Sequence, residues 1–391
     1  MNPTKKRTLA IDEPPGYNLN HLLVFYKCPQ ERFIPSDRMS LFQPFSALVR
    51  RIKLPSCSRT TSAFKSSSAA SYPPSSSRII STMTTSQSGK GTKTVFTLNT
   101  GAKMPGVGLG TWQSKPNEVR EAVKHALKVG YRHIDTALAY GNEAEVGQGI
   151  KDSGVPRSEI WLTTKLDNPW HKRVREGLET SLKNLDTDYV DLYLMHWPSS
   201  TVPEDLSKHY DDWNFIDTWR EMQKLLETGK VRNIGVSNFV ISNLEKLLKD
   251  PSCKVVPAVN QIELHPNMPS PKTIAYCKEK GIHCTAYSCL GSTNSPLAHD
   301  KTLASIAEAH GKTPQQVLLL WNLQRGCSVI PKSVNKERIE SNFQLDGWEL
   351  TPEEMDKLSN IKDRYKVCGD SWLPIKVFFN EEGDGGDVPS H

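Results

Sequence analysis

From Val95 onward the chain alternates two patterns. Short β-branched or aliphatic runs, apolar on both faces, give way to stretches of about 10 to 18 residues in which apolar side chains recur at helical spacing. The runs predict strands at 107–111, 133–136, 160–164, 190–195, 233–236, 259–262, 283–287 and 328–331. The stretches predict helices at 116–128, 143–153, 171–184, 214–228, 240–248, 271–280, 300–310 and 335–341. Eight βα units in succession point to an α/β protein built as a (β/α)8 TIM barrel rather than an open doubly wound sheet. An N-terminal β-hairpin, "VFTLNTGAKMP", is expected to cap the barrel floor. A further helix is expected over 351–361, with Thr351 as N-cap, Pro352 at the first helical position and Glu354 completing a capping box. The barrel spans 93–365, and the tail 366–391 is irregular and ends rich in Gly and Asp.

Residues 1–92 lack this periodicity. Ser56 to Lys90 holds 13 serines and a Pro73-Pro74 pair, the composition of a disordered or processed segment. "MSLFQPFSALVRRIKLPSCSR" (39–59) has the make-up of a mitochondrial transit peptide, but the acid-containing "MNPTKKRTLAIDEPP" precedes it. Met39 and Met83 are therefore candidate alternative starts; the expected location is cytoplasmic, or mitochondrial for a chain beginning at Met39.

The formal charge of +6 invites a nucleic-acid reading, which its distribution removes. The extension carries 13 basic against 4 acidic residues, so 36 basic and 39 acidic remain in 93–391, a net of −3 for the body. Eight scattered cysteines, with no C-x-x-C pair and no metal-ligand spacing, read as reduced thiols. No apolar run approaches the roughly 18 residues needed to cross a bilayer. The expectation is thus no metal, no nucleic acid and no membrane partner; the oligomeric state, monomer or dimer, is left open.

In such a barrel the chemistry collects where the strands end. "GYRHIDTALAYGNEAEV" (130–146) delivers Asp135 at the end of the second strand and Tyr140 in the loop after it; "WLTTKL" delivers Lys165, and "LYLMHW" delivers His196. Each alone reads as a solvated rim charge or turn residue, but four in successive units do not. A lysine ammonium favours a phenolate and is expected to lower the Tyr140 pKa from about 10. Asp135 would hold the lysine charged, and His196 could donate to a substrate oxygen. Such a site hands a proton to a carbonyl that is receiving a hydride.

These motifs, with "LYLMHWP" (192–198), "GKVRNIGVSNF" (229–239), "NQIELHP" (260–266) and "IPKSVNKERIESNF" (330–343), resemble the aldo-keto reductase superfamily across essentially all of 93–365. The resemblance implies Tyr140 as general acid, Asp135 and Lys165 as its supports, and His196 as the residue that orients the carbonyl. It implies NADPH as cofactor: Ser237, Asn238 and Gln261 on the carboxamide, Tyr287 stacked on the nicotinamide, and Ser288, Leu290, Gly291 and Ser292 along the pyrophosphate. Lys332, Ser333 and Arg338 match the surroundings of the 2′-phosphate, with Asn342 beside them; a lysine, a hydroxyl and an arginine at a helix start also form a phosphate trap on physical grounds. Two departures, Cys289 where many relatives have proline and Ser341 where a glutamate is common, leave room for some NADH use.

Trp112 and Trp197 are expected to wall the substrate pocket beside His196, with Trp170 and Trp372 as lids, while Trp213 and Trp321 read as packing. The wording "KLDNPWHKRV" and "MHWPSS" resembles fungal aldehyde reductases and NADP-dependent glycerol dehydrogenases. That resemblance implies small hydroxylated carbonyls or polyols, such as glyceraldehyde or dihydroxyacetone, as substrates. The rival reading is a regulatory barrel that binds the nucleotide with little turnover, and the presence of all four strand-end groups argues against it.

Overall fold

The apolar runs at the strand positions are buried on both faces in the computed structural model, which describes residues 85–292 and 294–379. Eight parallel strands form one sheet: β1 (Leu109–Gly110), β2 (His133–Asp135), β3 (Trp161–Leu166), β4 (Leu192–Met195), β5 (Ile234–Ser237), β6 (Val259–Glu263), β7 (His283–Tyr287) and β8 (Ser328–Val329). Each pairs with its neighbour in sequence, and the sheet closes on itself. Gly108 N donates to Val329 O and Val329 N to Gly106 O, both at 2.8 Å, and Gly110 N donates to Pro331 O at 3.0 Å. The protein is a (β/α)8 barrel. Its glycine-rich opening "GVGLG" serves this closure: a Cβ on Gly110 would stand 2.7 Å from Ile330 O, and one on Gly108 2.7 Å from the His133 ring.

Helices α1 (Pro116–Lys128), α2 (Glu143–Ser153), α3 (Val174–Leu185), α4 (Phe215–Leu225), α5 (Ile241–Lys249), α6 (Pro271–Glu279) and α7 (Lys301–Ala309) lie between the strands. In α1, Val119, Ala122, Val123, Ala126 and Leu127 are buried at offsets of three, four, seven and eight. This is the apolar stripe the sequence pattern requires, and each large aliphatic on it contributes about 1.5–3 kcal/mol. Helices α9 (Lys336–Asn342) and α10 (Pro352–Ser359) follow β8. The capping box expected at α10 is present: Glu354 N donates to Thr351 Oγ1 at 3.2 Å, and Thr351 N to Glu354 Oε2 at 2.8 Å.

The periodicity misses α8 (Pro314–Gln324), because that helix has no polar face to alternate with: Val317 to Leu323 are all buried. Its signal was the Thr313–Gln316 capping box. Strand bounds are shorter than expected at β1 and β8, the two strands that meet at the closure. At the floor, Leu98 and Met104 of the hairpin pack with Trp161, Leu194 and Val259, sealing the barrel from below. A third strand, Ser86–Ser88, pairs with Val95–Thr97 and lies inside the segment set aside as the extension. The transit-peptide and alternative-start readings at Met39 and Met83, and the acidic end of the tail, lie outside the described residues. Among the described residues no helix is long and apolar enough to cross a membrane.

Burial pushes the His171 and His283 imidazoles down to about 3. Unfolded, each takes up a proton near pH 6.5, so their contribution to stability is complete above that pH and is lost as pH falls toward 3. Melting temperature should therefore decline between pH 7 and pH 5. A pH-independent melt over that interval would contradict the neutral burial of these rings.

Candidate functional site

All four strand-end groups meet at the barrel mouth. Asp135 closes β2, Lys165 lies one residue from the end of β3, and His196 follows β4 directly. Tyr140 ends a single helical turn, Leu138–Tyr140, that Gly141 terminates at φ 66°. Lys165 is fully buried and spends its three ammonium protons on three acceptors: Asp135 Oδ1 at 2.5 Å, Thr136 O at 2.9 Å and the Tyr140 hydroxyl oxygen at 3.1 Å. The other Asp135 oxygen accepts from Gln261 Nε2 at 2.7 Å. Because the lysine donates to the phenol oxygen, the phenol's own proton points away from it. The His196 ring stands edge-on to Tyr140 with centroids 5.6 Å apart.

The electrostatics correct one expectation. The Tyr140 pKa is raised, not lowered: burial outweighs the Lys165 ammonium, and Asp135 adds to the rise. Lys165 opposes the rise without reversing it, so the phenol stays loaded with its proton. Burial likewise works against the Lys165 ammonium, yet Asp135 and Tyr140 together hold its pKa above the ordinary value. The His196 imidazole is driven well below 6.5, first by burial and then by the Lys165 charge, and is neutral.

The loops around the mouth carry backbone strain. Of the six non-glycine residues with positive φ among the described residues, Gln113, Asn238, Ser270, Ser288 and Ser292 follow barrel strands at this end. Tyr287 donates its hydroxyl to Asn238 Oδ1 at 2.7 Å; Asn238 Nδ2 donates to His196 O at 3.0 Å and Ser237 Oγ at 3.2 Å; Ser237 Oγ donates to Gln261 O at 2.8 Å. Ser237, Asn238, Gln261 and Tyr287 are thus one network leading from β5 to Asp135. Ser288, Leu290, Gly291 and Ser292 form the loop after β7, turned by the Gly291 N to Ser288 O bond at 2.8 Å. Lys332 and Arg338 are exposed and Ser333 half-buried around the start of α9, which Asn335 caps through Arg338 N at 2.8 Å. Lys332 Nζ reaches Gln113 O at 3.4 Å, linking this cluster to the loop after β1. Asn342 is buried at the other end of α9.

The tryptophans divide. Trp197 packs edge-on to Trp372, with centroids 5.3 Å apart, and to Phe378 at 6.0 Å. Trp372 is 43% exposed, and Trp112 is half-buried in the loop after β1. Trp170 has the surroundings of a packing residue: its ring lies under the Arg173 guanidinium at 4.4 Å and against the core. Trp321 is fully buried, as its packing role requires. A cavity of about 460 Å³ opens at the barrel floor, at the end opposite these groups, and its Asp191 and Arg232 pair with each other.

The aldo/keto reductase family model matches residues 106–363, well over half of the chain. The chain belongs to the aldo/keto reductase family. It is 47% identical over 303 residues to glycerol 2-dehydrogenase (NADP(+)) of Saccharomyces cerevisiae, covering 73% of this chain and 96% of the relative. It is 48% identical over 308 residues to an aldehyde reductase of the same yeast, covering 74% and 98%. The aldose reductase structure from Schistosoma japonicum superposes with a TM-score of 0.69 at 39% identity, covering 73% of this chain and 98% of that one.

The reductase also fixes its mouth with residues the sequence reading did not single out. Asn142 Nδ2 donates to Thr111 O at 3.0 Å and Ser114 O at 3.3 Å. Buried Glu143 accepts from Thr164 Oγ1 at 2.6 Å, next to Lys165, and from Asn184 Nδ2 at 3.2 Å. Together they clamp the turn bearing Tyr140 to β3 and to the loop after β1. Both lie in the quoted "GNEAEV", where an acid at the first turn of a helix reads as ordinary dipole compensation.

Proposed function

We propose that this oxidoreductase reduces aldehydes and ketones to alcohols with NADPH, and that its substrates are small hydroxylated carbonyls such as glyceraldehyde and dihydroxyacetone, or the matching polyols in reverse. The observation that carries the reading is the saturated, buried Lys165 donating to a protonated Tyr140 beside a neutral His196. The donor set fits the cofactor: two exposed cations and a hydroxyl, Lys332, Arg338 and Ser333, suit a phosphate dianion, and the Tyr287 ring beside the Asn238 amide suits a planar carboxamide-bearing ring. NADPH, when bound, supplies the hydride.

The protein's residues do the rest. His196, neutral, offers a ring N–H to the carbonyl oxygen. Tyr140 gives that oxygen its proton, and Lys165 stabilises the phenolate left behind. Asp135 keeps the ammonium charged and aimed, and Gln261 fixes Asp135. Trp197, Trp372 and Phe378 pack into an aromatic wall beginning at the residue after His196. The yeast relatives, named as a glycerol dehydrogenase and an aldehyde reductase, support the substrate class.

A panel of carbonyls assayed with NADPH and with NADH tests the reading. Turnover of glyceraldehyde with NADPH is expected, and NADPH binding without oxidation by any carbonyl would favour a regulatory barrel. In the same assay Arg338→Ala should raise the KM for NADPH roughly 10- to 100-fold, the loss expected for one charge-assisted contact, while NADH is little affected. Equal effects on both nucleotides would show that the phosphate is held elsewhere.

A further inference from the structure

Gln261 and Glu263 stand two apart on β6 and so face the same side of the strand. Gln261 holds Asp135, whereas Glu263 has no part in the chemistry above, although its carboxylate is buried. That carboxylate is fully engaged: His265 Nε2 lies 2.9 Å from Oε1, Val367 N donates to Oε1 at 2.7 Å, and Cys368 N donates to Oε2 at 2.9 Å. Two successive backbone N–H groups of the tail therefore converge on a single side chain of the barrel. A few residues on, Asp370 Oδ2 accepts from Val377 N at 2.6 Å and Phe378 N at 2.8 Å, folding the tail back on itself. The folded tail carries Trp372 and Phe378 onto Trp197, the residue after His196.

We propose that Glu263 is a specificity-determining positioning residue, tying the tail that walls the carbonyl pocket to the strand that also steadies Asp135. This rests on the function proposed above. Aldehydes whose substituent reaches the aromatic wall depend on the tie, and three-carbon aldehydes do not. An untethered tail leaves the Tyr140 and Lys165 geometry intact, because none of its bonds involves the tail. Losing the tie frees the aromatic wall and leaves the Lys165 bonds in place, so the effect falls on binding rather than on the proton transfer.

The test uses the full chain with Glu263→Gln, in which an amide N–H replaces one acceptor and faces a backbone N–H. Benzaldehyde probes the wall and propanal probes the centre. The KM for benzaldehyde should rise roughly 10-fold with kcat for propanal within about 2-fold of the parent, and trypsin should cleave faster after Lys366 or Lys376. Asp370→Asn, which loosens the tail without touching the barrel, should shift the benzaldehyde KM in the same direction and carries the test if Glu263→Gln does not fold. Parallel losses of kcat on both aldehydes, or a tail as protected as in the parent with unchanged KM, overturn the inference. If the parent reduces neither aldehyde, the function proposed above fails, and the trypsin comparison alone decides: faster tail cleavage supports the tie, and equal protection overturns it.

Discussion

Tyr140→Phe should lower kcat for glyceraldehyde reduction by roughly 10²- to 10⁴-fold, the range for loss of a positioned general acid. The substitution removes one oxygen and one proton and leaves the ring, its edge-on contact with His196 and the surrounding packing. NADPH affinity should therefore change little, which separates a chemical defect from a binding one. Lys165 loses one of three acceptors and retains Asp135 and Thr136 O, so it stays charged and in place. Turnover within a few-fold of the parent would remove Tyr140 from the proton path.

Lys165→Met should be as damaging to turnover and, unlike the tyrosine change, should also cost stability. The ammonium and the Asp135 carboxylate form a buried pair, with side-chain exposures of 0% and 2%. Removing the cation strands a carboxylate that no water reaches, a loss of about 3–5 kcal/mol. Asp135 then keeps only the Gln261 bond on its side-chain oxygens. Chemical denaturation should show the stability loss, and it should be relieved by also replacing Asp135 with Asn. A Lys165→Met protein as stable as the parent would mean that the pair is not isolated from solvent.

The fold was legible because βα alternation is a periodic signal that survives any change of side chain of like polarity. It failed where periodicity itself fails: α8 is apolar all round, and the short β1 and β8 strands are defined by glycine contacts across the closure. The catalytic quartet was legible for a different reason. A charged or basic residue at or beside the end of a buried strand, as Asp135, Lys165 and His196 are, announces where that group is delivered. What the chain could not announce was partnership. The resemblance marks Gln261 as a carboxamide ligand, but nothing in "NQIELHP" shows that it steadies Asp135, 126 residues away in sequence. Glu143 and Asn142 look like helix-start residues and act as clamps between loops. The Tyr140 pKa moves opposite to the sequence expectation because sequence shows the neighbouring charge and not the burial, and here burial is the larger effect. Trp170 and Trp372 are alike as residues; only packing separates the one under Arg173 from the one at the mouth.

The most direct measurement is product stoichiometry: protein, NADPH and glyceraldehyde are incubated together, and NADPH consumed and glycerol formed are both quantified. Carbonyl reduction by this barrel requires one glycerol for each NADPH oxidised, with both lost together in Tyr140→Phe. Protein that binds NADPH but forms no alcohol, or that oxidises NADPH equally well without the tyrosine hydroxyl, would contradict it.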